Sequence, residues 1–193
     1  MVSDRALYMN PESAARAGEP VEGPSWSMDA LRGRVVELLV DGAGICVSVC
    51  VGLVAEAQRG GEPAAWVTAT DGLFHPGDAA AAGVDSGAVP VVRVRQAASV
   101  LRACERLLRS GAFGLVILDP GPTPTLAFGA LGTIVKLAQA HQAVVVFLTT
   151  GIETPLGSLV SLRARTRRVE VAGRYEGIVE LSLIHISEPT RQA

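Results

Sequence analysis

The stretch from Gly33 to Arg59 constrains the fold more than any other part of the chain. It opens with a short apolar run, Val35 to Val40, followed by a small DGAG turn at 41–44 and a long apolar segment, Ile45 to Ala57. This pattern predicts a buried strand, a tight turn and a helix. In α/β proteins that bind phosphate the cradle lies at such a joint, because free backbone N–H groups and the helix dipole converge there.

Downstream of this joint, apolar runs typical of strands alternate with amphipathic segments typical of helices. The further strands are predicted at 63–70, 89–94, 114–118 and 143–150, and the further helices at 76–83, 96–110 and 125–141. Repeated alternation of this kind predicts a parallel sheet with helices on both faces.

Length and composition indicate one domain packed from aliphatic side chains. The chain has 193 residues and is 49% hydrophobic but only 4% aromatic. Residues 1–28 are rich in Pro, Glu, Gly and Ser and are predicted to be flexible. We therefore expect the folded domain at 29–182. The final residues, 183–193, continue no pattern and are expected to be a non-native tail that replaces the true C-terminus.

Charge and cysteine content restrict the class of partner and the compartment. A net charge of −2 argues against a chain that binds polyanions over its whole surface, although a local basic patch remains open. Cys46, Cys50 and Cys104 fall in apolar helical patterns, which favours buried thiols in a reducing compartment. Cys46 and Cys50 could form half a metal site, but no second ligand pair is visible, so no metal is expected. Without a leader or a long apolar run, we expect a cytoplasmic protein with no membrane contact.

Several segments carry a family resemblance. They read GRVVE at 33–37, AQRG at 57–60, GVD at 83–85 and RSGAFGLVILD at 109–119. Together they resemble the core of the bacterial recombinase A (RecA) family. The resemblance implies a RecA-like α/β core: a mostly parallel sheet with helices on both faces and antiparallel strands near the C-terminus.

The resemblance also implies where a phosphate-binding loop would lie. The family carries G-x-x-x-x-G-K-[ST] shortly after VE, and an ungapped register assigns the two glycines, the lysine and the Ser/Thr to Val40, Ile45, Cys46 and Val47. Cys46 cannot neutralise phosphate, and Val47 cannot bind magnesium. Gly42 and Gly44 still permit a tight turn, which a plain strand–helix joint also needs. We therefore expect no nucleotide cofactor.

Two further positions are acidic in the family. One of them is replaced in this chain, and the other is kept without a phosphate-binding loop opposite it. The recombinases end the second strand in DAEH, whose Glu positions the attacking water; here Thr70 replaces that Glu, and Asp71 follows as a turn cap or a shifted acid. Asp119 matches the metal-side acid and is either a relic or a turn residue. The resemblance thus implies a pseudo-ATPase rather than an enzyme.

A basic stripe is predicted near the end of the domain. Between Ser158 and Arg168 the sequence alternates in the strand period, which places Arg163, Arg165 and Arg167 on one face. This face either binds DNA or an acidic partner, or is simply solvated. The segments that correspond to the DNA-binding loops of the recombinases, 120–125 and 151–156, are short, so any DNA contact should be weak.

Two segments, LAQAHQAVVVFLTT at 137–150 and SLVSLRARTRR at 158–168, are similar to the ImuA-type accessory proteins of inducible mutagenesis cassettes. That similarity implies a non-catalytic adaptor in the SOS response to DNA damage. Its expected partners are the cassette's polymerase subunits, in translesion synthesis, or another repair protein. A filament is not expected, because no clear subunit-docking arm precedes the core. Two alternatives remain: an ATP-binding RecA-type recombination and repair protein, and a regulator similar to damage-inducible cell-division inhibitors.

Overall fold

The computed structural model describes residues 26–40, 45–69, 74, 76–121, 128–150, 156, 160–171 and 174–183. The described helices are α1 (Met28–Leu31), α2 (Ile45–Arg59), α3 (Pro76–Ala81), α4 (Ala97–Arg109) and α5 (Phe128–His141). The described strands are β1 (Val35–Val40), β2 (Ala64–Thr68), β3 (Val91–Arg93), β4 (Leu115–Asp119), β5 (Val144–Thr150), β6 (Leu162–Val171) and β7 (Arg174–Leu183).

The described strands form one sheet in the order β3-β2-β4-β5-β1-β6-β7. Neighbouring strands from β3 to β6 are parallel. The last strand, β7, pairs with β6 in the antiparallel sense. The predicted α/β class with a mostly parallel sheet is confirmed.

Helices cover both faces of the sheet. On one face α1, α2 and α3 pack against a cluster that includes Leu38, Trp66 and Ile117. On the other face α4 and α5 pack against a cluster that includes Leu118 and Phe147. Every residue of β2 and of β4 is buried, which is why these strands read as continuous apolar runs rather than as an alternation.

The folded domain begins earlier than the sequence predicted. Trp26 is 2% exposed and Met28 is 4% exposed, so both belong to the core although they lie in the segment assigned to a flexible N-terminus. The Ser27 side chain accepts a hydrogen bond from the Ala30 N–H and caps α1. The Met28 N–H donates to Glu56 Oε1 at 3.0 Å, which ties α1 to α2.

The C-terminal boundary also shifts, by one residue. Leu183, the first residue of the predicted tail, is the register partner of Leu162 and completes β7. The remainder of that tail, 184–193, and the segment 1–25 lie outside the described residues.

Candidate functional site

The candidate site is the edge of the sheet where the parallel strands end. There β1 ends at Val40, α2 begins at Ile45, and β2 and β4 end at Thr68 and Asp119. Because ligands of open α/β sheets bind outside the carboxyl ends of the strands, this edge is where a phosphate would be sought. The predicted loop residues Gly42 and Gly44 fall outside the described residues.

Cys46 lies in the first turn of α2, at the register position of the family's lysine. It is 3% exposed. Burial raises the pKa of its thiol, and the negative charge of Asp119 acts in the same direction; nearby backbone N–H groups lower it, but by less than burial raises it. The side chain is therefore a neutral thiol. Val47, at the position that the resemblance assigns to the magnesium ligand, is half-buried. It packs against the hydrophobic cluster between α2 and the sheet.

Asp119, at the position of the metal-side acid, is tied into the sheet. Its side chain is buried, and its Oδ2 accepts a hydrogen bond from Thr68 Oγ1 at 3.0 Å. Its backbone carbonyl accepts from the Ala69 N–H at 2.9 Å. Across the described residues, no cluster of three or more His, Cys, Asp or Glu side chains could hold a metal ion. The arrangement holds the ends of β2 and β4 together.

Several predicted features lie wholly or largely outside the described residues. Thr70 and Asp71 are among them, as is most of the two short segments assigned to DNA loops. From those segments the structure describes Pro120, Gly121 and Leu156, all of which are buried. The expectation of weak DNA binding therefore stays a prediction.

The basic stripe is only partly as the sequence predicted. Leu162, Ala164 and Thr166 are buried and Arg165 is exposed, so the predicted alternation is confirmed from Leu162 to Thr166. Arg163, however, is not a free outward cation: its Nε donates to Glu37 Oε2 at 2.7 Å, and its side chain is 22% exposed. Arg167 lies in β6, with its side chain outside the described ones. A partner-binding role for this face stays a prediction.

Glu37 is the polar residue that the sequence analysis missed. It is completely buried on β1 and binds Arg163 of β6 and, through Oε1, the Thr149 hydroxyl of β5 at 3.3 Å. These contacts exist because β1 lies between β5 and β6 in the sheet. One sequence signal was available: a glutamate inside an apolar strand must find a partner, because burying an unpaired charge is costly.

The buried thiols give a first testable prediction. Burial raises the pKa of Cys46, Cys50 and Cys104, so at a pH of about 8, below the ordinary thiol pKa of about 8.5, the folded protein should hold almost no thiolate. An aromatic disulfide reagent should therefore label the native protein far more slowly than the same protein in guanidinium. One thiol that reacts in the native state as fast as in the denatured state would contradict this. If that thiol were Cys46, the start of α2 would be accessible to solvent.

This fold and this site define a class: an α/β protein with a mostly parallel sheet, in which the edge at the carboxyl ends of the parallel strands carries a neutral thiol and a hydrogen-bonded acid. The chain is 38% identical over 88 residues to Protein RecA of Corynebacterium urealyticum, 34% to that of Clostridium novyi and 38% to that of Salinispora arenicola. The match covers 46% of this chain and about a quarter (24–25%) of each relative. The chain is thus related to RecA over that part of its length.

No protein-family model matches the chain. The crystal structure of SulA from Pseudomonas aeruginosa superposes on it with a TM-score of 0.49 and 18% identity, covering 61% of this chain and 98% of SulA. None of the described helices is long and apolar enough to cross a membrane.

Proposed function

We propose that this protein is a non-catalytic RecA-like accessory protein in DNA repair, an adaptor of damage-induced mutagenesis that works in the cytoplasm. The observation that carries the proposal is the chemistry at the start of α2. Where the RecA relatives' motif needs a lysine and a Ser/Thr, this chain offers the buried thiol of Cys46 and the aliphatic side chain of Val47. Neither group can neutralise a phosphate or bind magnesium.

The residues do not fit magnesium–ATP at the acidic side of the site either. The Asp119 carboxylate is buried and accepts a hydrogen bond from Thr68, and its negative charge contributes to raising the pKa of the Cys46 thiol. A phosphate brought to the start of α2 would meet the negative charge of Asp119 and the neutral thiol of Cys46. The proposal therefore includes no step through a nucleotide.

A nucleotide titration tests the pseudo-ATPase part. We expect no ATP hydrolysis above background and a dissociation constant for magnesium–ATP no tighter than about 1 mM, roughly −4 kcal/mol. Isothermal titration calorimetry measures the affinity, with a RecA that has an intact loop as the positive control. Micromolar binding would refute the proposal and favour the alternative, an ATP-binding recombination protein. Loss of that binding in Asp119→Asn would locate it at this edge.

The adaptor part needs a separate test, because absence of nucleotide binding does not identify a partner. We propose that the partners are the polymerase subunits of a mutagenesis cassette. Co-expression with those subunits should yield a complex that co-elutes in size-exclusion chromatography. Failure of every pair to co-elute, with each protein folded by circular dichroism, would leave the chain RecA-like but not a cassette adaptor.

A further inference from the structure

A groove of about 420 Å³ lies between the edge strand β3 and helix α4. Its floor is formed by the half-buried apolar side chains Val92, Val94, Ala103, Leu107 and Phe113. The volume falls in the range of roughly 300–1,000 Å³ that is typical of binding pockets. The groove lies at the β3 end of the described sheet, and the strands β2, β4 and β5 separate it from β1 and its joint with α2.

Helix α4 explains why the floor is uncovered. Its fully buried residues, among them Leu101, Cys104 and Leu108, face the sheet. Ala103 and Leu107, one helical turn apart, continue that apolar face sideways beyond the part that the sheet covers. Because β3 is the last described strand of the sheet, no further described strand packs against this flank.

Two arginines border the apolar floor. Arg102 and Arg106 line the groove, are exposed and lie one turn apart on α4. The acid of that helix, Glu105, is engaged by Arg109 at 2.7 Å. Within the described part of the chain, Arg102 and Arg106 form no ion pair.

The charge of this region is opposite to that of the chain. Between Val91 and Phe113 there are five arginines and one acidic residue, whereas the whole chain carries −2. The groove thus combines an apolar floor with a cationic border on an otherwise acidic protein. Arginine is suited to this arrangement because its guanidinium binds a carboxylate through two hydrogen bonds.

We propose that this groove binds an acidic segment of another protein, which places an apolar side chain on the floor and carboxylates against Arg102 and Arg106. Single-stranded nucleic acid fits the groove less well. Its recognition relies on aromatic stacking platforms, and Phe113 is the one aromatic residue among the described residues that line the groove. This inference does not rest on the proposed function, because it needs only the described surface and would hold whether or not the other edge binds nucleotide.

Fluorescence anisotropy tests the proposal with three labelled peptides. The first carries glutamates on both sides of a leucine–phenylalanine pair, the second has lysines in place of the glutamates, and the third has serines in place of the apolar pair. We expect binding of the first alone, weakening as salt is raised. Equal binding of all three, or no binding of the first, would overturn the proposal.

Variants locate the binding. Arg102→Glu should weaken the complex by about tenfold or more, since it opposes like charges, whereas Lys136→Glu on α5, an exposed residue that makes the same charge change away from the groove, should leave it unaltered. Ala103→Trp should abolish binding by filling the floor. Binding that survives Ala103→Trp would refute the groove. A preference of the groove for single-stranded DNA over the first peptide would also refute the proposal. Self-association of the chain that is lost in Ala103→Trp would refute it as well.

Discussion

Replacing Arg163 with methionine should lower the free energy of unfolding by about 3–5 kcal/mol, the usual cost of leaving a buried charge without its partner. Glu37 is 0% exposed, and the Arg163 Nε lies 2.7 Å from its Oε2. Without that guanidinium, the carboxylate would keep the Thr149 hydroxyl as its hydrogen-bond donor among the described residues. Urea denaturation followed by circular dichroism measures the change.

The neighbouring arginine of the same strand face supplies the control. Arg165 is exposed, so Arg165→Met should change stability by no more than about 0.5 kcal/mol. The double variant Glu37→Met/Arg163→Met should regain much of the loss, because an apolar pair in place of a buried ion pair is often neutral or stabilising. A cost below about 1 kcal/mol for Arg163→Met alone would show that the ion pair is not formed in solution.

This ion pair changes how the basic stripe should be tested. A triple variant with Arg163, Arg165 and Arg167 changed to glutamate would oppose a second carboxylate to the buried Glu37. We expect that variant to unfold, so a loss of binding in it would say nothing about the stripe. Arg165→Glu alone leaves the ion pair intact. Loss of a partner in that variant, without a change in the melt, would support binding by this face.

Replacing Trp66 with alanine should cost about 3–5 kcal/mol, the range found when a large aromatic side chain is removed from a core. Trp66 is completely buried on β2, and its ring packs against Phe74 with centroids 5.1 Å apart. The contact joins β2 to the segment just before α3. Thermal and urea denaturation of the variant measure the loss.

The matched variant Trp66→Phe should cost much less, about 1–2 kcal/mol. Phenylalanine keeps an aromatic ring beside Phe74 and removes the indole N–H, for which the described residues supply no hydrogen-bond acceptor. Losing an unsatisfied buried donor is favourable and offsets part of the lost volume. Equal costs for the two variants would show that the indole N–H is satisfied in solution.

The sequence alone determined the alternating strands and helices from β1 to β5, although it missed α1. Buried parallel strands need apolar residues on both faces, so β2 and β4 appear as uninterrupted apolar runs, and α4 shows its buried side through the helical spacing of Leu101, Cys104 and Leu108. The phase of β6 was equally accessible, because alternation along a strand is a local property. So was the chemistry of Cys46 and Val47, which depends on residue type at a counted position.

Tertiary structure decided which polar groups meet. Arg163 looked like one of three equivalent arginines, but it lies 126 residues from Glu37 and reaches it only because β6 pairs with β1. Thr68 and Asp119, 51 residues apart, meet because β2 and β4 are neighbours. The groove beside α4 likewise exists because β3 is at the edge of the sheet. Local pattern fixes which face of a strand a side chain occupies; strand order and register, set by packing between distant segments, fix what that side chain meets.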